Sequence, residues 1–147
     1  MTYEVQLERL VLFFETISAA TLQRQLAIVY APDARFKDPF NEVQGLGAIA
    51  AIFEHMFEQV DGPRFVVTTR VLQGSQAFLT WDFRFRMKRF SKQEQCIRGA
   101  THIVFDAAGA VAVHRDYWDA AEELYEKLPL LGSLMRWLKR SANRPSS

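Results

Sequence analysis

The sequence predicts a single α+β domain in which N-terminal helices cover a strongly curved antiparallel sheet and enclose an apolar pocket. Three observations support this prediction. Apolar residues recur at helical spacing over residues 3–60, whereas from residue 65 onward they alternate with polar ones, as in a sheet with one buried face. The third is the aromatic content: 12 Phe and 3 Trp among 147 residues can fill a core and wall a pocket.

Three helices precede the predicted sheet, over residues 3–17, 19–30 and about 46–60. Each carries apolar residues at intervals of three and four, which is the spacing of one helix face. Ser18 is a suitable cap for the second helix, and Ala31-Pro32 should end it. A short extended piece over residues 34–38 separates the second helix from the third, which Asp61-Gly62-Pro63 should end.

Four long strands follow, over residues 65–73, 77–90, 96–105 and 110–118. Gly74-Ser75 and residues 106–109 have the composition of tight turns between them. In the second of these strands Trp81 and Phe83 alternate with Asp82 and Arg84, so the aromatic side chains should face inward and the charged ones outward. Strands of this length twist, and helices over a curled sheet leave a hollow.

The C-terminal segment is predicted to be helical. Asp119 should cap a helix over residues 120–128, and an amphipathic helix over residues 130–140 precedes a polar tail at 141–147. The chain is thus interpreted as one domain with its core at about residues 3–119. The last helix is basic and could lie on a membrane surface or cover the pocket, but we favour packing on its own domain or on a second copy.

Composition excludes several classes of function. A net charge of +1, from 18 basic and 17 acidic residues, argues against a dedicated nucleic-acid binder. A single cysteine, Cys96, excludes an internal disulfide and a cysteine-built zinc site, and the 3 histidines lack metal-ligand spacing. No metal or cofactor is therefore expected. Without a signal-peptide pattern or an apolar run of membrane-spanning length, a cytoplasmic location is expected.

Two sequence runs resemble a known family. Residues 30–39 (YAPDARFKDP) with 45–49 (GLGAI), and the closing run 114–119 (HRDYWD), are similar to SnoaL-like proteins of the nuclear transport factor 2-like, or ketosteroid-isomerase-like, superfamily. The resemblance spans about residues 7–119 and implies that superfamily's cone-shaped fold, with extra C-terminal helices. It also implies a homodimer through the outer sheet face. Members include isomerases, cyclases, hydrolases and pure binding modules, so fold alone does not assign an activity.

The resemblance places Asp38 where ketosteroid isomerases have their general base. The oxyanion-hole tyrosine and aspartate of those enzymes would fall at Phe14 and Thr101. Because phenylalanine cannot donate a hydrogen bond and threonine is a weak substitute, the standard isomerase mechanism is disfavoured. Alternatively, Asp38 simply forms the Asp-Pro turn by accepting hydrogen bonds from nearby backbone amides.

Asp116 resembles an active-site carboxylate of limonene epoxide hydrolases. The arginine and aspartate that those enzymes pair with it would have to come from Asp82 and Arg84, which lie on the wrong face unless the register is misjudged by one residue. Epoxide hydrolysis is therefore poorly supported.

His114 lies two residues before Asp116 and should share its face of the last strand. A histidine beside a carboxylate can move a proton near neutral pH, so His114, Asp116 and Asp38 are the candidate catalytic residues. The pair could instead be a structural hydrogen bond or part of a dimer contact. The candidate ligand-binding residues, whose alternative role is core filling, are Phe14, Tyr30, Phe40, Trp81, Phe83, Thr101 and Trp118.

Two functions remain open from the sequence. The chain could bind an apolar small molecule and act on it by isomerase-, cyclase- or hydrolase-type acid–base chemistry. Alternatively, it could be a non-catalytic module that binds a ligand or a partner protein. Attachment of such a module to a membrane through its last helix is open but not favoured. Whether it is an enzyme stays open at this point.

Overall fold

The computed structural model describes residues 2–88 and 93–125, without the side chains of the last two. The helices are α1 (Glu4–Thr16), α2 (Leu22–Val29) and α3 (Leu46–Gln59), and a π-helical turn follows the last strand at Ala121–Tyr125. The six strands are β1 (Tyr30–Lys37), β2 (Glu42–Gln44), β3 (Val60–Gln73), β4 (Gln76–Met87), β5 (Gln95–Phe105) and β6 (Val111–Tyr117).

These strands form one curved, unclosed sheet in the order β2-β1-β6-β5-β4-β3, with the helices at the N-terminal end of the chain. The predicted α+β class and the cone-shaped fold are confirmed. The sheet is mixed rather than purely antiparallel, because β1 pairs parallel to β6 while the other four pairings are antiparallel. After β1 the chain passes through β2 and α3 to β3 at the far edge of the sheet, and the antiparallel strands β3 to β6 then lead it back to β1.

Two element boundaries differ from the predictions because prolines lie inside strands. The helix α2 ends at Val29 and β1 starts at once, so Pro32 falls in the strand, where the register with β6 shifts between Tyr30 and Arg35. Likewise, Pro63 lies inside β3, where the register with β4 shifts between Asp61 and Arg64. Such irregularities accommodate a residue that cannot donate to the ladder.

Smaller differences concern caps and short elements. Ser18 does not cap α2, which starts later than predicted; its hydroxyl lies 2.8 Å from that of Thr21. The strand β2 was too short to be predicted from pattern. The hairpin at Gly74-Ser75 is confirmed, with Gln73 paired to Gln76 around a glycine at φ 59°. Asp119 caps the following turn as predicted, since its Oδ1 accepts from the backbone N–H of Glu122 at 3.1 Å.

The core lies between the helices and the inner face of the sheet. On α1, Phe14 contacts Phe65 of β3 and His114 of β6, which places this helix across the sheet. The predicted alternation of β4 is confirmed, because Trp81 and Phe83 are buried. The inner face of β4 consists of Ala77, Leu79, Trp81, Phe83, Phe85 and Met87.

Candidate functional site

His114 is the centre of a polar cluster within this apolar core. The strand β6 turns its ring inward, where only 2% of the residue is exposed and the ring of Phe36 lies 4.6 Å away between centroids. Nδ1 lies 2.7 Å from the hydroxyl of Tyr30, and Nε2 lies 2.7 Å from Oδ1 of Asp116. The neutral tautomer with its proton on Nε2 satisfies both partners, since it donates to the carboxylate and accepts from the tyrosine.

Asp116 extends the cluster across two further strands. Its Oδ1 also accepts a hydrogen bond from Thr101 Oγ1 at 2.6 Å. The same Thr101 Oγ1 in turn accepts a hydrogen bond from Trp81 Nε1 at 2.7 Å. The result is a continuous chain from β1 to β4 that we call the inner network: Tyr30, His114, Asp116, Thr101 and Trp81. Within residues 2–88 and 93–125, Oδ2 of Asp116 accepts no hydrogen bond, so one oxygen of an otherwise fixed carboxylate is available.

Trp81 reaches Thr101 because the neighbouring strand carries a glycine. Gly99 lies opposite Trp81 in the ladder between β4 and β5. A Cβ at position 99 would lie 2.4 Å from Cη2 and 2.6 Å from Cζ2 of the indole ring, well inside van der Waals contact. The ring therefore occupies the space that any other side chain would need.

Asp38 lies in the turn after β1. Its Oδ1 accepts hydrogen bonds from the backbone N–H groups of Phe40 at 2.8 Å and Asn41 at 2.7 Å, which confirms the turn-forming role considered from the sequence. The side-chain Nδ2 of Asn41 lies 3.0 Å from both carboxylate oxygens.

The electrostatics link Asp38 to the inner network. Burial raises the pKa of Asp38 above its ordinary value, outweighing the hydrogen bonds from Phe40 and Asn41, and the negative charge of Asp116 raises it further. Burial, with Asp116 again contributing, also holds the pKa of Tyr30 well above 10. The structure therefore joins His114 and Asp116 by a hydrogen bond, whereas the hydrogen bonds of Asp38 to other described residues lie in its own turn, and it is related to Asp116 through the charge that raises its pKa further.

The predicted ligand-binding residues fall into two groups. Five are buried in or beside the inner network: Phe14, Tyr30, Trp81, Phe83 and Thr101. Phe40 and Trp118 are half-buried, and their ring centroids lie 5.6 Å apart. Phe40 belongs to the turn of Asp38, and Trp118 directly follows β6. They are therefore the two of these seven predicted residues that are partly accessible to solvent.

Sequence reasoning missed Asn41, which is 5% exposed and fixes both oxygens of Asp38. Its own Oδ1 is buried and finds no hydrogen-bond donor in the described part of the chain. The signal was its place three residues after the aspartate in Asp-Pro-Phe-Asn, where turn residues are common. The sequence also predicted Tyr30 only as a ligand-binding or core residue, because no local pattern indicates its hydrogen bond to His114, 84 residues away.

Other predicted features can be located only in part. Residues 2–88 and 93–125 hold no group of three or more His, Cys, Asp or Glu side chains that could bind a metal ion. No helix among them is both long and apolar enough to cross a bilayer. The predicted basic helix over residues 130–140 lies outside the described residues.

Comparison with known proteins identifies the family and agrees with the fold described above. A sequence model of the SnoaL-like domain matches residues 11–114. No curated protein sequence matches this chain. A protein of ketosteroid isomerase-like fold from Catenulispora acidiphila, solved with trimethylamine, superposes with a TM-score of 0.71 at 14% identity, covering 88% of this chain and 96% of its own.

Two further solved structures carry functional names. A candidate SnoaL-like polyketide cyclase from Jannaschia sp. CCS1 has a TM-score of 0.69 at 15% identity, covering 95% of this chain and 93% of its own. A candidate isomerase of the SnoaL-like family from Agrobacterium tumefaciens has a TM-score of 0.63 at 17% identity, covering 80% and 97%. At such identities the likeness establishes the fold alone.

Proposed function

This chain belongs to the SnoaL-like family, and we propose that it binds an apolar small molecule against the inner sheet face and exchanges protons with it through Asp38 and Asp116. One observation carries the proposal: Asp116 is a half-buried carboxylate that His114 and Thr101 hold through one oxygen, and its charge adds to the burial that raises the pKa of Asp38. Paired carboxylates in different environments are how one site supplies both an acid and a base.

The two carboxylates differ in the way that such chemistry requires. Asp38 has a raised pKa, so its protonated form persists to higher pH than that of an ordinary aspartate. Asp116 is held by His114 and Thr101 through one oxygen and leaves the other open. We assign His114 the role of positioning Asp116, since its ring is buried and both its nitrogens are engaged.

The surroundings define the class of ligand. Phe40 and Trp118 offer apolar contact beside the carboxylates, and the unsatisfied Oδ1 of Asn41 would accept a hydrogen bond from a hydroxyl or amide group. Phe14, which is buried against His114, cannot donate to an oxyanion as an isomerase tyrosine does. We propose an apolar ligand that carries one hydrogen-bond donor and is deprotonated at carbon. The names of two structural neighbours, a candidate polyketide cyclase and a candidate isomerase, are compatible with such a ligand.

Carbon-proton exchange tests this proposal without knowledge of the natural product. Apolar cyclic ketones that carry one hydroxyl group, such as 6-hydroxy-1-tetralone, should exchange their α-protons with D₂O faster in the presence of the protein, as measured by proton NMR. Asp116→Asn and Asp38→Asn should each reduce the rate by about 10²- to 10⁴-fold, the usual contribution of an acid–base group. Asp82→Asn, the same change outside the inner network, should leave the rate unchanged.

Exchange that persists in both site variants would contradict the proposal. Binding of the ketones without exchange would support the alternative function, a non-catalytic binding module. The observation in favour of that alternative is that the members of the inner network bond chiefly to one another, as structural hydrogen bonds do. Ligand-dependent thermal stabilisation with no exchange in the wild-type protein would establish it.

A further inference from the structure

A second site lies on the opposite, outer face of the sheet. We propose that the groove there binds a small, soluble molecule bearing a phosphate group. The groove has a volume of about 420 Å³ and runs over β2, β1 and β6. It is lined by Arg35, Phe36, Lys37, Glu42, Val43, Gln44, Val113, His114 and Arg115.

The strand register brings three cationic side chains to this face. Residues that pair directly across two strands share a face, and Lys37 pairs with Arg115 while Arg35 pairs with Val113. Between them, Phe36 pairs with His114, and both of these are buried on the inner side. The neighbours one residue along must therefore point outward, so Arg35, Lys37 and Arg115 converge on the groove.

The groove has more positive than negative charge. Glu42 is the one carboxylate in its lining, and its Oε2 lies 3.7 Å from Nζ of Lys37. The guanidinium of Arg115 lies 4.7 Å from the ring centroid of Tyr117. Arg35 is exposed, and within the described part of the chain it makes neither an ion pair nor a contact with an aromatic ring. Clustered like charges repel one another, and an anion held between the two arginines would relieve that repulsion.

Phosphate is an anion whose geometry matches these groups. An arginine presents a planar fork of N–H donors that matches two phosphate oxygens at once, and two such forks lie at adjacent strands here. The amide of Gln44, which pairs with Arg35, adds a polar group to the wall. The volume falls in the range of small-molecule sites, so the groove can hold more than the phosphate itself. The proposal does not rest on the proposed acid–base function, although Phe36 and His114 line the groove and also belong to the inner site.

Titration of the ¹⁵N-labelled protein tests the site. Inorganic phosphate and glycerol 3-phosphate, added at constant ionic strength against chloride, should produce saturable amide shifts confined to β1, β2 and β6. Arg35→Gln and Arg115→Gln should each weaken binding about tenfold, the expected effect of losing one charge-assisted contact. Arg84→Gln, an arginine of β4 that pairs with Glu94, should bind like the wild type.

Three outcomes would overturn the proposal. Shifts that do not saturate, or that chloride reproduces, would indicate general screening rather than a site. Equal affinity in Arg35→Gln and Arg84→Gln would place binding elsewhere. A stable dimer whose interface maps to β1, β2 and β6, and which phosphate does not perturb, would show that a second copy covers the groove. Tighter binding of glycerol 3-phosphate than of inorganic phosphate would support a phosphorylated metabolite as the occupant.

Discussion

Two kinds of contact fix the side chains of the site, and they differ in how far apart their partners lie along the chain. The hydrogen bonds of Asp38 are local, reaching only to Phe40 and Asn41, so a dipeptide pattern could indicate them. The bond between Tyr30 and His114 joins residues 84 positions apart. Only the pairing of β1 with β6 brings these two together, and no local pattern encodes it.

The contact between Gly99 and Trp81 yields a prediction. Gly99→Ala must displace the indole, since the new Cβ would lie within 2.4 Å of it, and the hydrogen bond from Trp81 to Thr101 should be lost. We expect destabilisation of about 1–3 kcal/mol, as for other overpacked sites, with a red-shifted tryptophan emission. Urea unfolding followed by fluorescence measures both changes.

Gly47→Ala is the matched control. A Cβ there meets nothing within 4 Å, and alanine favours the helix α3, so we expect a gain of up to about 1 kcal/mol. If the two variants proved equally stable, the indole would not be packed against Gly99 as described.

Periodicity predicted the existence and type of the long elements, because each buries one face of its residues. It misplaced the starts of β1 and β3, where Pro32 and Pro63 suggested breaks. A bulge lets a strand continue past a proline, but whether it does so depends on the neighbouring strand, which a local pattern does not contain.

The face of α1 that covers the sheet gives a second prediction. Leu10 is fully buried, whereas Leu12 on the same helix is 61% exposed. Leu10→Ala should cost about 2–5 kcal/mol by leaving a cavity under the helix. Leu12→Ala, which alters the same residue type without a cavity, should change the free energy of unfolding by less than about 0.5 kcal/mol. Similar losses in the two variants, measured by chemical denaturation, would refute the assigned orientation of α1.

For the molecule as a whole, composition and the change of period were sufficient to predict an α+β domain, and the resemblance supplied the cone-shaped fold. They could not supply the parallel pairing of β1 with β6. The inner network depends on that pairing, because Tyr30 is on β1 and His114 is on β6. The sequence therefore named most of the members of the site but not the hydrogen bonds that join them.

The raised pKa of Asp38 makes the stability of the whole protein depend on pH. The folded state retains a proton that the unfolded state releases near its ordinary pKa of 3.8. This contribution to stability is therefore complete below the unfolded pKa and is lost as the pH rises through the folded pKa. Asp38→Asn should remove this part of the pH dependence, as measured by urea unfolding at successive pH values from about 3 to 8. Parallel curves for the variant and the wild type would contradict the assignment, and Asp82→Asn should follow the wild type.

The parallel pairing of β1 with β6 also has a consequence in time. During synthesis β1 leaves the ribosome long before its partner, because residues 38–110 must be made first. Until β6 arrives, the inner face of β1 has neither His114 to bond Tyr30 nor a strand to complete its ladder. Closing so long a loop is slow and leaves apolar surface exposed in the interval. Among the described residues, the last strand to be made is thus the one that joins the first strand to the meander. We therefore expect nascent chains that stop before Val111 to depend on chaperones.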